Sequence, residues 1–287
     1  NFRAVFYAPF YAIRALGLPE REGLEVEWLP SDTPGGTIAE VKRGNIDVQW
    51  GGPMRVLKDH EAPGASLVCF GEVVWRDPFY VIGRQRPGFQ LKDLATMRLG
   101  IVSEVPTPWY CLRADLEDAG IDTKTLRAEK SLSMPQQIEA LAAGKLDAIQ
   151  LFEPYASRAL AAGNAVLYTA SSRGPTSYTT FITSRECASK HRDELAALQR
   201  ATQAMLDWLA KEGPAELARV TQSFFPDVPQ ELLRSAFERY QRAGLWSRNT
   251  TVNKAGFERL AYSMHDGGFI KHRATYAECV TDFGGRA

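Results

Sequence analysis

One pattern occurs twice along the chain, and this internal repeat restricts the possible fold more than any other feature. Residues 22–53 read EGLEVEWLPSDTPGGTIAEVKRGNIDVQWGGP, and residues 119–154 read AGIDTKTLRAEKSLSMPQQIEALAAGKLDAIQLFEP. In both copies a glycine-containing turn leads to an extended stretch, a polar loop, a helix that ends at glycine, and a short apolar strand followed by proline. Helix, glycine stop and buried strand form half of a right-handed crossover, so each copy predicts parallel strands covered by helices. The repeat therefore predicts an α/β fold with two lobes.

The other secondary-structure signals lie around this repeat. Its helices are predicted at residues 38–43 and 135–143, and Ser133 with Gln136 forms a capping box before the second helix. Apolar runs predict further strands near Val5 and at residues 66–70, 79–84 and 178–184. From residue 190 onward the apolar spacing indicates amphipathic helices, the first of which ends at Gly213. The C-terminal region is therefore expected to be helical.

The strands at 79–84 and 178–184 bracket the second copy of the repeat, and we interpret them as crossings between the lobes. Lobe one would contain residues 1–84 and 183–287, and lobe two would contain residues 85–182. Each lobe is expected to be a mixed, mostly parallel sheet flanked by helices. Hinge movement is expected near Gly83–Arg84 and Thr183–Ser184 because two crossings allow the lobes to rotate without breaking either core.

Four predicted strands are each followed by a helix that starts near a proline, at Pro9, Pro53, Pro108 and Pro154. Each proline alone is explained by the preference of proline for the first helical turn. Together they mark the carboxyl ends of strands, where ligands bind in open α/β sheets. Aromatic residues concentrate near these ends, which predicts an aromatic cleft between the lobes. The aromatic candidates are Tyr7, Phe10, Tyr11, Trp50, Trp75, Trp109 and Tyr178.

Polar residues near the same strand ends would orient the ligand. Glu104 and Glu153 would accept hydrogen bonds, and the backbone N–H groups of Gly51 and Gly52 can approach a ligand closely. The hydroxyl candidates are Ser103, Ser177 and Thr107, of which Thr107 is also a natural N-cap before Pro108. This set favours a small planar ligand, an aminopyrimidine-like heterocycle ahead of an aromatic acid, with a sulfonate third. An aromatic acid would instead need Arg55, Arg76 or a helix N-terminus.

Composition and motifs argue against several other functions. The 34 basic and 34 acidic residues cancel, so no net field attracts nucleic acid. No apolar run is long enough to span a membrane, and no nucleotide-binding or acyl-transfer motif is present. The four histidines lie away from the cleft loops, and the four cysteines lack metal-binding spacing and are expected to be buried free thiols. We therefore expect no catalytic residues, no metal and no cofactor.

The segments YAPFYAIRALGLPEREGLEVEWL, VKRGNIDVQWGGP, LKDLATMRLGIVSEVPTPW, LAAGKLDAIQLFEPYASRAL and RGPTSYTTFITS resemble the NMT1/THI5-like family of ABC-transporter substrate-binding proteins. The resemblance extends from about Tyr7 to Trp208 and rests on the order and spacing of the segments. It implies a type II periplasmic-binding-protein fold whose two lobes close on a solute. One departure is SEVPTPW, where sulfonate and nitrate binders have a hydroxyl-rich loop of small residues, and another is the lack of the cysteine-rich motif of the pyrimidine synthases.

The function expected from the residues and the resemblance is that of an extracytoplasmic solute-binding protein. Its partners would be a small-molecule ligand and the permease and ATPase of an ABC importer, and the protein itself is expected to be a monomer. A periplasmic or lipid-anchored location is implied by the resemblance alone. The alternative is an enzyme on the same scaffold, of a pyrimidine-precursor or menaquinone-pathway type.

Overall fold

The computed structural model describes residues 3–31, 33 and 35–284, in which the strands form two sheets. The first sheet contains β1 (Val48–Gly51), β2 (Leu67–Val74) and β8 (Thr179–Ser184). The second contains β3 (Tyr80–Gly83), β4 (Arg98–Gly100), β5 (Arg127–Glu129), β6 (Ala148–Leu151) and β7 (Ala165–Thr169). Their strand orders are β1-β8-β2 and β5-β4-β6-β3-β7. The chain passes from the three-stranded to the five-stranded sheet after β2 and returns after β7.

Helices surround both sheets, and a long C-terminal set packs on the N-terminal segment. The N-terminal half contains α1 (Ala8–Ala15), α2 (Leu18–Arg21), α3 (Ile38–Arg43), α4 (Met54–Asp59), α5 (Thr107–Asp118) and α6 (Met134–Ala142). The C-terminal half contains α7 (Tyr155–Ala161), α8 (Arg185–Lys190), α9 (Arg192–Thr221), α10 (Gln230–Arg242), α11 (Lys254–Asp266) and α12 (Tyr276–Cys279). Within α9 the backbone is non-helical at Gly213, where φ is 80° and Pro214 follows. The predicted helix end at Gly213 is therefore present as a break between two helical segments.

The helices of the repeat match their predictions closely. Helix α3 has the predicted bounds, and α6 begins at Met134 with both hydrogen bonds of the Ser133–Gln136 capping box. Thr107 differs from its prediction, because α5 begins at Thr107 itself, after Pro106, and the Thr107 side chain is not the cap. The prediction of Thr107 as N-cap was therefore wrong by one position.

The strand arrangement differs from the mostly parallel sheets that the repeat predicted. Strand β4 is parallel to β5 and β6, as the second copy implies, but β3 is antiparallel to β6 and β7. Strand β8 is antiparallel to both β1 and β2. Strands β3 and β8 are the first strands that the chain forms after changing sheets, and each runs against its neighbours. The α/β class is confirmed; the five-stranded sheet is mixed, with parallel pairing restricted to β4, β5 and β6, whereas the three-stranded sheet is entirely antiparallel.

Two predicted extended stretches are not strands. The segment near Val5 forms a short 3-10 turn, Val5–Tyr7, that leads directly into α1. Residues 24–31, all of which the structure describes, are not assigned to a strand, so the first copy of the repeat lacks the entering strand that the second copy has in β5. The repeat predicted an extended stretch here, but these residues pair with no neighbouring strand.

The chain passes between the two sheets in two connections, residues 75–79 and residues 170–178. These connections differ from the predicted crossings, because Gly83 lies inside the five-stranded sheet, paired with Ala148 and Ala165. Thr183 likewise pairs with Val48 and Val68 inside the three-stranded sheet. The strands before residue 75 and after residue 178 therefore belong to the three-stranded sheet, and the strands between these positions belong to the five-stranded sheet. Gly83 and Thr183 are thus paired within strands, and hinge movement near them stays a prediction.

Candidate functional site

A cavity of about 580 Å³ lies between loops of the five-stranded sheet, the segment before α1 and the segment that joins α9 to α10. The five-stranded sheet contributes Glu104, which follows β4, and Phe152, which follows β6. The opposite wall contains Arg3 and Val5, which precede α1. The cavity is completed by Met134, Pro154, Tyr155, Arg158 and the segment Phe224, Phe225, Pro226, Asp227 and Val228. A cavity of this volume, lined from several elements, has the size of a small-molecule site.

Four of the predicted aromatic residues lie together at the N-terminal end of α1. The rings of Phe10 and Trp50 are stacked, with centroids 5.3 Å apart and planes 8° apart. Tyr11 meets Trp50 edge to face at 5.6 Å, and Tyr7 lies 6.2 Å from Phe10. Phe10 is completely buried, whereas Trp50 is half-buried. The cluster therefore forms the apolar support behind Trp50, and only part of it is accessible to a ligand.

Phe6 connects this cluster to the cavity. Its ring lies 5.4 Å from Phe152 in the cavity wall and 6.0 Å from Tyr178, in both cases edge to face. Tyr178 is buried at the start of β8, and its hydroxyl has no hydrogen-bond partner within the described part of the chain. Sequence reasoning missed both Phe6 and Phe152 as candidates. The signal for Phe152 was its position directly after β6 and before Glu153.

The two predicted acidic ligand contacts have different surroundings. Glu153 is completely buried, and its Oε1 accepts a hydrogen bond from Arg239 Nε at 2.6 Å while Oε2 accepts one from Ser157 N at 2.9 Å. Glu104 is exposed in the cavity wall and accepts hydrogen bonds from the backbone N–H groups of Met134 and Ser103. Both oxygens of Glu153 are thus engaged within the protein, and of the two predicted acids only Glu104 lines the cavity, which Asp227 also lines.

The other hydroxyl candidates are split between the two sheets. Ser103 is exposed beside Glu104 and donates a hydrogen bond to the carbonyl oxygen of Leu132. Ser177 is completely buried next to Tyr178, and its hydroxyl lies near the buried carboxyl group of Glu72. Thr107 is buried in the first turn of α5. The structure therefore brings Ser103 and Glu104 together, and separately Ser177 and Tyr178.

Trp75 and Trp109, two of the predicted ligand-binding residues, are engaged in contacts with other parts of the protein. Trp75 lies in the first connection between the sheets, where its Nε1 donates a hydrogen bond to the carbonyl oxygen of Gly244 at 2.7 Å. The Arg76 guanidinium lies 4.8 Å from the centre of the Trp75 ring. Trp109 packs against the core of the five-stranded sheet, with Lys130 Nζ 4.4 Å from its ring centre. Neither tryptophan lines the cavity of 580 Å³.

Gly51 and Gly52 lie at the end of β1, beside an arginine that sequence reasoning considered for an acidic ligand. Gly51 pairs with Thr180 of β8, and Gly52 precedes the first turn of α4, which carries Arg55. An ideal Cβ atom on Gly52 would lie 3.5 Å from Arg55 Nη1 and 3.5 Å from the carbonyl oxygen of Tyr178. The loop after β1 therefore brings Arg55 close to Tyr178.

The described part of the chain contains no cluster of His, Cys, Asp or Glu side chains that could hold a metal ion. The four cysteines are all buried as free thiols, as predicted. No helix among the described residues is both long enough and apolar enough to cross a bilayer.

Comparison with known proteins agrees with the architecture. Residues 81–222 match the NMT1-like family. The chain is 23% identical over 290 residues to a Bacillus subtilis (strain 168) protein provisionally named binding protein YtlA, covering 96% of this chain and 84% of that protein.

Solved structures give the fold. The aliphatic sulphonate binding protein SsuA of Escherichia coli superimposes with a TM-score of 0.78 at 17% identity, covering 96% of this chain and 93% of that one. The alkanesulfonate-binding protein SsuA of Xanthomonas axonopodis pv. citri, bound to MOPS, gives 0.73 at 16% identity, covering 97% and 96%. The desulfurization enzyme DSZB gives 0.66 at 15% identity, covering 96% and 94%.

Two sheets joined by two connections have the two-lobed periplasmic-binding-protein fold, in agreement with the superposition on the sulphonate binding protein. Within this class, the resemblance to the NMT1/THI5-like substrate-binding proteins that the sequence predicted is confirmed.

Proposed function

We propose that the protein is the extracytoplasmic solute-binding component of an ABC importer. The observation that carries the proposal is the cavity of about 580 Å³, which receives residues from the ends of strands in the five-stranded sheet and from the segment before α1. Similarity to sulfonate-binding proteins over 96% of the chain supports the same role. Its partners would be a permease and an ATPase, to which a monomeric receptor would deliver the solute.

The cavity favours a small ligand with a planar or apolar portion. Phe152, Tyr155, Phe224 and Phe225 provide aromatic walls, and aromatic contacts contribute roughly 0.5–1.5 kcal/mol each beyond burial. The sequence favoured an aminopyrimidine-like heterocycle held by two carboxylates. Because Glu153 is engaged with Arg239, support for that ligand now rests on Glu104. The sulfonate in the names of the SsuA proteins is a further candidate for this chain.

The alternative of an enzyme is supported by the similarity to DSZB. Nucleophilic cysteine chemistry needs an accessible thiol with a lowered pKa. In this chain burial raises the pKa of both Cys111 and Cys279 to about 12, and both thiols are buried. These cysteines therefore do not support a thiol-based reaction.

Incubation with a ligand library, followed by mass spectrometry, distinguishes the two functions. A receptor should return every bound compound chemically unchanged, and native mass spectrometry should show one bound molecule per chain. A time-dependent product from a bound compound would contradict the receptor function. Fractionation of cells that express the natural gene would test the extracytoplasmic location.

A further inference from the structure

The segment 24–31 lies beside β1, and a groove separates the two. Strand β1 is at the edge of its sheet and pairs with β8 alone among the described strands. Burial alternates along residues 24–29, as it does in a strand, yet no backbone group of residues 25–31 is hydrogen-bonded to another backbone group in the described part of the chain. Strand β1 therefore has a neighbouring strand on one side only, and the segment 24–31 has none on either side.

Two cavities, of about 100 and 370 Å³, follow this groove. Both are lined by Val26 and Leu29 from the segment and by Ile46 and Val48 from β1 and the residue pair before it. Leu198 of α9 also lines both cavities. Because they share these walls, the two cavities are parts of one groove with an apolar lining.

The lining residues also show that the segment 24–31 and β1 run in the same direction. The larger cavity is lined by Leu24 and Asn45, which stand at or before the beginning of the two stretches. The smaller cavity is lined by Ser31 and Trp50, which stand near their ends. A strand lying in the groove in the same direction would therefore be parallel to both of its neighbours.

One buried polar group in the groove lacks a partner. Gln49 is 5% exposed and lines the smaller cavity. Its Oε1 accepts a hydrogen bond from the Thr37 hydroxyl, whereas its Nε2 has no partner within residues 3–31, 33 and 35–284. Leu29, on the other wall, is 50% exposed. A buried amide without a partner is costly, and the backbone carbonyl groups of an inserted strand would supply acceptors.

The start of α1 indicates where such a strand would come from. The ring of Phe10 stacks on Trp50 with centroids 5.3 Å apart, so the first turn of α1 lies beside the end of β1. Ala4 and Val5, which lead into this turn, are each 1% exposed. The chain therefore enters α1 from inside the protein, near the end of the groove that Ser31 and Trp50 line.

We propose that this groove holds a further parallel strand, supplied by the protein's own chain from the segment that leads into Arg3. The sheet order would then be 24–31, the added strand, β1, β8 and β2. Helix α1 would join the added strand to the segment 24–31, and α3 joins that segment to β1, which gives two consecutive crossover units. Arg3 and Val5 line the 580 Å³ cavity, so pairing of the added strand also fixes one wall of that cavity.

The test compares the chain that begins at Asn1 with a longer form that carries the residues encoded immediately before it in the natural gene, about ten of them, which is enough for one strand. Hydrogen–deuterium exchange of residues 25–29 should be roughly tenfold slower or better in the longer form, because backbone pairing protects amides. The melting temperature should also rise by several degrees. Exchange in β5, the edge strand of the other sheet, should be the same in both forms.

A third protein separates strand pairing from added length. It is the longer form with proline at alternate positions of the added segment, and it should exchange and melt like the chain that begins at Asn1, because proline cannot donate to a ladder. Equal exchange of residues 25–29 in the two original forms, or protection that the prolines do not remove, would overturn the proposal. A natural gene that encodes no residues before Asn1 would overturn it too.

Occupation of the groove by a second copy of the chain is the remaining outcome that would overturn the proposal. It would appear as protection of residues 25–29 only at protein concentrations at which light scattering detects a dimer. Exchange and melting are measured without solute, so failure of the receptor function would leave this result unaffected.

Discussion

At the scale of single residues, the ion pair between Glu153 and Arg239 joins the end of β6 to α10. Glu153 is completely buried, while the Arg239 side chain is 26% exposed and also donates a hydrogen bond to Ser157 Oγ at 2.7 Å. The backbone N–H of Glu153 donates to the Tyr240 hydroxyl on the same helix. These contacts hold a cavity-forming loop against the C-terminal helices, so Glu153 acts on the shape of the cavity through the fold.

Glu153→Gln should therefore destabilise the protein by roughly 2–4 kcal/mol, because it removes one partner of a largely buried pair. Chemical denaturation would measure the loss. Glu238→Gln, which breaks an exposed pair with Arg234 on the same helix, is the control and should cost less than about 1 kcal/mol. Equal effects of the two substitutions would contradict the structural role assigned to Glu153.

Glu72 is a second buried carboxyl group, and it predicts a dependence of stability on pH. Burial raises its pKa from 4.5 to about 8, although its Oε2 accepts a hydrogen bond from Asn253 N at 3.0 Å. The unfolded chain loses this proton near the ordinary pKa, whereas the folded protein keeps it until about pH 8. The contribution of Glu72 to stability is thus greatest at low pH and is lost as the pH rises from 4.5 to about 8.

Denaturation of wild type and Glu72→Gln at several pH values between 5 and 8 tests this prediction, a window set by the two pKa values. The wild type should lose up to about 4 kcal/mol relative to the variant across the window, since each pKa unit corresponds to about 1.4 kcal/mol. An identical pH dependence in both proteins would show that Glu72 does not have the raised pKa.

At the scale of elements, the two connections between the sheets are joined by Arg173. Its Nη1 donates to Asp77 Oδ2 at 2.6 Å in the first connection, and its Nε donates to Asp115 Oδ1 of α5 at 2.9 Å. The carbonyl oxygen of Arg173 accepts a hydrogen bond from Arg259 of α11. Trp75 and Thr176 add a backbone hydrogen bond of 2.8 Å between the two connections. The connections therefore form one hydrogen-bonded unit.

Arg173→Gln should destabilise the protein by about 3–5 kcal/mol at neutral pH, because two acidic side chains lose their cation in a buried setting. Arg98→Gln is the control, since Arg98 forms its ion pair with Asp147 while 45% exposed, and exposed ion pairs contribute little to stability. Thermal melts of both variants would measure the difference. A loss for Arg173→Gln no larger than that for Arg98→Gln would contradict the importance of this cluster.

At the scale of the whole molecule, we propose that the two sheets and their helices are the lobes, and that residues 75–79 and 174–178 are the hinge. Both segments are short and connect the sheets, and neither is paired within a strand. Closure would bring the aromatic walls of the cavity around the solute, with rotation absorbed by a few residues in the connections.

Small-angle scattering with and without saturating ligand should show a smaller radius of gyration in the bound form. Trp75 lies in the proposed hinge, so its fluorescence should change with the same concentration dependence. Trp75→Phe should remove the part of that signal that comes from the connection while scattering still reports compaction. Identical scattering profiles at saturating ligand would rule out closure.

The sequence by itself determined the local structures and the class of fold. Helices α3 and α6, the Ser133 capping box and the strands β1 and β6 follow from residues within a few positions of each other. The repeated order of these elements also indicated a two-lobed α/β protein. Such features are encoded locally because caps, glycine stops and apolar periodicity act over one or two helical turns.

Only the tertiary structure decided which distant groups meet. Glu153 finds Arg239 86 residues away, and this pairing removes from the cavity a carboxylate that the sequence placed in it. The antiparallel direction of β8 and the location of the connections likewise depend on strands far apart in sequence. The electrostatics of the site depend on three-dimensional neighbours because charges interact through space.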